Sequence, residues 1–281
     1  MSRTTAGVDQ LIRHPRWELL PFASFDEQLG YIPEGSTITI TASPDKGIEP
    51  TIDMAVETAE NTDYEVVPHI AARGVEDRDQ LSSIADRLQD VGITDVFVPG
   101  GDNPEPVGVF TSSFEVLEAM DELGIAFDEV GITGYPEGHP IISDEELVEA
   151  MESKTPYGTY IATQICYDPA TIVSWIEDVR ADGIDLPMHV GVPGVMDYQR
   201  LLGVSKKVGV GQSIRFVRKT SGILPMIKRA LFSRGVYRPD DLVEGLAPYA
   251  DDPDYGIAGL HLYTFNRASD TVEWREQQLS T

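Results

Sequence analysis

Short β-rich runs alternate with amphipathic segments along almost the whole chain, and this alternation restricts the architecture more than any other feature. The runs cover residues 17–22, 37–42, 65–70, 95–99, 129–135, 159–165, 187–192 and 259–265. Several are near-continuous apolar or β-branched stretches, the pattern of parallel strands buried on both faces. Between them, 50–60, 77–91, 113–123, 144–153, 169–181 and 198–207 read as helices. Pro50 and Pro169 suit a first helical turn, where no N–H is needed, and Asp77 and Ser143 suit N-caps. Pro33-Glu34-Gly35 makes the turn into the second run. Eight strands with mostly helical crossovers predict an α/β fold, a closed (βα)8 TIM barrel over residues 1–281 as one domain; an open doubly wound sheet is the alternative. Residues 211–254 form an insertion before the last strand, with helix expected at 214–219, 224–232 and 240–249.

At 281 residues and 41% hydrophobic, the chain has the size and apolar content of one such barrel. No apolar stretch nears the roughly 20 residues that cross a bilayer, and the N-terminus is polar, so neither a membrane span nor a secretory signal is expected. The single cysteine, Cys166, excludes an internal disulfide and a multi-cysteine metal cluster and fits a reducing cytoplasm. A formal charge of −26 repels nucleic acid and anionic lipid. The hydrophobic content is too high for disorder, and the acids are dispersed, as in Asp144-Glu145-Glu146, rather than gathered in a tail. This predicts a halophile's surface whose self-repulsion salt must screen; an ordinary acidic cytosolic surface is the alternative.

In such a barrel the chemistry sits at the C-terminal ends of the strands. Those ends present Glu18, Thr41 with Ser43, His69, Asp102, then Tyr135, Glu137 and His139, then Gln164, and last Tyr263 and Asn266. Glu18 lies inside Trp17-Glu18-Leu19-Leu20-Pro21-Phe22. A carboxylate among apolar neighbours is either paired or holds its proton near neutral pH, as a general acid must; a solvated glutamate at a strand start is an equal alternative. Asp102 follows Gly100-Gly101, which lets a ligand approach the backbone, although such a turn also occurs in plain βα loops. Gly134-Tyr135-Pro136-Glu137-Gly138-His139-Pro140 gathers a phenol, an acid and an imidazole in a proline-stiffened loop; the plainer reading makes His139 a loop residue bonded to backbone. His69 alone reads as a satisfied core histidine. Gln164 offers a donor and an acceptor to a heterocycle edge, or is a surface amide. Phe216, in the insertion, either stacks on a flat ligand ring or packs in the core. His69, His139 and His189 show no HxH or HExxH spacing, so no metal is expected. Gly209-Val210-Gly211 lies outside any strand–GxGxxG–helix unit, and no P-loop is present.

The blocks Trp17-Glu18-Leu19-Leu20-Pro21, Thr39-Ile40-Thr41, Val67-Pro68-His69-Ile70 and Gly100-Gly101-Asp102 then continue with the 134–140 loop, Ala162-Thr163-Gln164, Gly191-Val192-Pro193-Gly194 and residues 261–267. In order and spacing they resemble the 5,10-methylenetetrahydrofolate reductase family over nearly the whole chain. The resemblance implies an oxidoreductase that reduces 5,10-methylenetetrahydrofolate, or a related pterin, to the 5-methyl form with NAD(P)H through FAD. It implies that Glu18 is the general acid, that Asp102 lies beside the pterin and the hydride donor, and that Gln164 binds the pterin. His69, Tyr135 and His139, with Thr41, Gly101 and Asp102, are implied to line the cofactor site. Two departures count against tightly bound FAD: Gly100 replaces an arginine of the flavin site, and 153–158 diverges and is a residue shorter; 41–47 also differs in chemistry. They open a flavin-free variant in which the nicotinamide passes hydride directly. A folate-dependent methyltransferase or demethylase and a non-catalytic folate-binding subunit are rival functions on the same barrel. The resemblance covers the barrel and omits the C-terminal regulatory domain of the animal enzymes; self-association into a homo-oligomer stays open.

Overall fold

The computed structural model describes residues 3–42, 46–198, 200–201 and 235–280. Its strands are β1 (Arg16–Leu19), β2 (Thr37–Ile40), β3 (Glu65–Pro68), β4 (Asp95–Phe97), β5 (Glu129–Gly134), β6 (Tyr160–Thr163) and β7 (Met188–Pro193). A short antiparallel ribbon, β8 (Met196–Asp197) with β9 (Val236–Tyr237), precedes the last barrel strand, β10 (Ile257–Tyr263). The hydrogen-bonded order is β3-β2-β1-β10-β7-β6-β5-β4, with every pair parallel. The two ends of this sheet meet through a bridge between His69 and Phe97, where Ile70 N–H donates to Phe97 O at 2.8 Å. The ring is therefore nearly closed, as the barrel expectation requires and the open sheet does not.

The helices are α1 (Arg3–Arg13), α2 (Phe25–Leu29), α3 (Glu49–Asn61), α4 (Arg78–Asp90), α5 (Ser113–Leu123), α6 (Asp144–Lys154), α7 (Pro169–Ala181), α8 (Asp240–Leu246) and α9 (Ala268–Leu279). The expected caps are made: Asp77 accepts from Gln80 N–H, and Ser143 and Glu146 close a reciprocal capping box. Pro50 and Pro169 lie in first turns. The expected helix at 240–249 is α8 followed by a 3-10 turn over Ala247–Tyr249. The expected helices at 214–219 and 224–232, most of 198–207, and Phe216 and Ser43 lie outside the described residues.

Three helices, α1, α2 and α9, were not expected from the sequence. In α1 only Val8, Leu11 and Ile12 supply the apolar stripe, with Leu11 and Ile12 fully buried. Its Gly7 abuts the backbone of Ala247, where a Cβ would stand 2.1 Å from the carbonyl oxygen. Arg275 of α9 binds the carbonyls of Ile12 and Arg13, tying the two end helices together. Among the described residues no helix is long and apolar enough to cross a membrane.

Strand alternation decides what enters the barrel. Trp17 and Leu19, Ile38 and Ile40, and Leu260 and Leu262 belong to the outer core under the helices. Their neighbours Arg16, Glu18, His261 and Tyr263 face inward, with a small inner cluster of Val67, Phe97, Tyr160 and Ala162. The strands' starting ends are closed by a polar plug: Arg16 donates to Asp95 at 2.7 Å and to the Tyr160 hydroxyl at 3.0 Å, and that hydroxyl donates to Asp95 at 2.9 Å. Gly131 leaves room for the Tyr160 ring, which a Cβ there would meet at 2.4 Å.

Candidate active site

Most strands stop two or three residues before the β-rich runs do. Leu20, Thr41, His69 and Gln164 thus sit at strand ends or in the loops just beyond, so the residues expected to carry chemistry surround the barrel mouth. Glu18 is buried among them. It is 8% exposed, and burial pushes its carboxyl up to about 7, partly offset by the field of His69. Of the two readings of Glu18, the solvated strand-start glutamate is thereby removed.

Two imidazoles face this acid. His261 Nε2 lies 3.2 Å from Glu18 Oε2 and His69 Nε2 lies 3.9 Å from the same oxygen. Burial holds both rings neutral near pH 7: His69 falls to about 4, where Glu18 opposes the fall and His261 adds to it, and His261 falls to about 3, helped by the charge of Arg16. His69 packs edge-on against Phe97 at 4.8 Å, but its Nε2 is buried with no hydrogen-bond partner. It is therefore not the satisfied core histidine that its local sequence suggests. The three ligating atoms lie within 4.8 Å of one another. Such donors serve metal sites as well as proton handling, and the absent HxH spacing is silent about them because they come from three separate strands. The direct hydrogen bond between Glu18 and His261 favours the proton-handling role.

The backbone beneath the acid is fixed from β10. Thr264 Oγ1 donates to the carbonyl of Glu18 at 2.6 Å. Asn266 accepts from Leu20 N–H at 2.8 Å and donates to Leu20 O and Ser24 Oγ, both at 3.1 Å. Phe265 and Asn266 adopt left-handed backbone, φ 50° and 54°, to make this turn. Asn266, expected as a chemical group at the mouth, is instead a clamp between strands. Tyr263 is likewise engaged, donating its hydroxyl to Thr163 O at 3.0 Å.

Asp102 is exposed, on a loop held by Arg73. The Arg73 guanidinium donates to the carbonyls of Asn103 (2.7 Å), Pro104 (2.6 Å) and Thr111 (3.2 Å), and its backbone N–H to Gly100 O. Gly101 turns this loop at φ +89°, close against Ala71. Across the mouth, Tyr135 and His139 meet edge to face at 5.4 Å. Burial raises the Tyr135 phenol and lowers the His139 imidazole; the charge of Asp102 adds to the first and opposes the second. His139 Nδ1 also accepts from Ile141 N–H at 3.4 Å, so the plainer reading of that residue is realised as well. Gln164 bonds its own loop through Oε1, to Ile165 N–H at 2.8 Å, which leaves its amide N–H groups to offer a ligand. Thr41 accepts a bond from Thr51 at its carbonyl.

Sequence reasoning missed His261, Arg73 and Lys154. Lys154 is buried at the end of α6, where burial lowers it to about 8, and it donates to Thr133 Oγ1 at 3.0 Å. His261 had a readable signal: it interrupts an apolar alternation, Leu260 and Leu262, as Glu18 interrupts Trp17 and Leu19.

The fold and its site define an α/β barrel with a buried acid facing two imidazoles. The family model described as methylenetetrahydrofolate reductase matches residues 22–278, and the chain belongs to that family. A methylenetetrahydrofolate reductase of Schizosaccharomyces pombe is 28% identical over 158 residues, covering 49% of this chain and 22% of that protein. A methylenetetrahydrofolate reductase (NADH) of Arabidopsis thaliana is 22% identical over 94% of this chain and 44% of its own length. A probable methylenetetrahydrofolate reductase (NADPH) of Caenorhabditis elegans is 22% identical over 89% of this chain and 39% of its own. The chain thus spans less than half the length of these relatives. A chitinase from Rhizomucor miehei superposes with a TM-score of 0.52 at 9% identity, over 94% of this chain and 100% of that one, a likeness of fold alone.

Proposed function

We propose that this chain reduces 5,10-methylenetetrahydrofolate, or a closely related pterin, to the 5-methyl form with NAD(P)H. The observation that carries the reading is Glu18, a buried carboxyl pushed up to about 7, and so partly protonated near neutral pH, at the mouth of a barrel of this family. Ring opening of the substrate needs a proton on N10, and Glu18 supplies it; the resulting N5-iminium then accepts hydride at the methylene carbon. Having given up its proton, Glu18 is a carboxylate close to the cation it has made. Asp102 adds a second negative charge from the loop, and Gln164 offers its amide N–H groups to the pterin edge.

A flavin between nicotinamide and folate is part of the reading, and its fit rests on the Gly100 loop. No atom lies within 4 Å of where a Cβ of Gly100 would stand, which leaves open space beside Asp102. Gly101 and Asp102, with Thr41, His69, Tyr135 and His139, would hold the flavin, which when bound would relay two electrons at a time.

Glu18→Gln tests the reading. The amide is nearly isosteric but has no proton to give, so folate-dependent NAD(P)H oxidation falls about 10²–10⁴-fold while binding of the 5-methyl product persists. A well-folded variant with a near-normal rate removes Glu18 as the acid.

A further inference from the structure

Two neutral imidazoles crowd one oxygen of the acid. Both His261 and His69 approach Oε2 of Glu18. His261, 2% exposed, stands on β10 next to β1, in the register that pairs Glu18 with Tyr263. Its second ring nitrogen, Nδ1, is buried with no partner. A hydrogen on Nδ1 would be a buried unsatisfied donor, whereas a bare lone pair there is tolerated more readily. The hydrogen therefore sits on Nε2 and points at Glu18 Oε2 across 3.2 Å. With Oε2 accepting that bond, the acidic proton resides on Oε1.

We propose that His261 is a positioning residue for folate reduction: by donating Nε2–H to Glu18 Oε2 it fixes the rotation of the carboxyl group and reserves Oε1 as the oxygen that delivers the proton. The inference rests on the reading of Glu18 as the acid. It also assigns His261 a share in setting when that acid lets go, because a donor to Oε2 favours the carboxylate and offsets part of the burial. The titratable groups around Glu18 are His69 at the end of β3 and His261 and Tyr263 on β10. Arg16 lies below, acting on His261, and Tyr135 lies beyond Tyr263 at the end of β5. Near pH 7 both imidazoles are neutral, Arg16 stays charged, and burial holds Tyr263 well above its usual range. Glu18 is then the group that titrates, and the rate falls as pH rises and strips its proton.

The test is the pH profile of folate-dependent NAD(P)H oxidation, with kcat and folate KM measured separately, for the unmodified protein, Glu18→Gln, His261→Leu and His261→Gln. Leucine fills the space without a donor. It lowers kcat about 10-fold or more with little change in folate KM, and moves the falling limb upward by roughly one pH unit, the size expected when a carboxylate loses one hydrogen bond. Glutamine reaches with its amide nitrogen to where Nε2 stood and returns the midpoint to its original pH. If the leucine variant does not fold, His261→Asn replaces it, since its shorter amide cannot reach Oε2 and the same upward shift follows. A donor-less variant with an unshifted midpoint, or a glutamine variant shifted as far as the donor-less one, overturns the inference. Near-normal turnover of Glu18→Gln instead overturns the reading of the acid beneath it.

Discussion

The seam between β1 and β10 and the mouth loops after β4 and β5 build the same site in opposite ways. At the seam, Glu18 is buried, its carbonyl is held by Thr264, and its strand end is held on both sides by Asn266. At the mouth, Asp102 is exposed, and the restraint on its loop comes from Arg73 gripping backbone carbonyls rather than the aspartate itself. A carboxyl that must hold a proton near neutral pH needs a dry, fixed setting, since burial is what raises it. In the proposed reaction, a carboxylate that only lends its charge to a transient cation needs approximate placement rather than a fixed, dry pocket. The two carboxyls thus differ in setting, Glu18 buried in the sheet and Asp102 exposed on a loop.

Glu18→Gln is the largest break in this contrast. Next in size, Asp102→Asn keeps the loop geometry and removes the charge. Folate reduction should slow about 10- to 100-fold with folding and folate affinity retained; unchanged turnover at saturating substrate takes Asp102 out of the reaction. Asn266→Ala should cost about 3 kcal/mol, read by urea unfolding, because it strands the N–H and C=O of Leu20 and leaves alanine in left-handed backbone. A loss under about 1 kcal/mol would show that the seam does not depend on that side chain. The smallest effect belongs to Arg73→Met. Its bonds are largely exposed, so stability moves by less than about 1 kcal/mol, while kcat falls a few-fold as the Asp102 loop loosens. If stability falls sharply and kcat holds, Arg73 supports the fold and not the loop's placement.

Much of this architecture was legible in the chain. Ser113–Leu123 and Pro169–Ala181 match the expected helices at both ends, and Asp77 and Ser143 cap as read, because caps and periodicity are local properties. The end helices were less legible: α1 and α9 carry few apolar residues and gain stability from packing on each other, and α1 also from Ala247.

The sequence by itself determined the eight alternating strands, the polar residues at their ends and the oddity of Glu18, since strand period and a misplaced charge are read along one dimension, while closure of those strands into a ring was decided by the structure. Tertiary structure alone decided that Glu18 meets His69 and His261, residues 51 and 243 positions away, and that Asn266 is a clamp rather than a ligand. Those outcomes depend on which strands become neighbours and on how deeply each group is desolvated, and burial of that kind exists only once the ring of strands has come together.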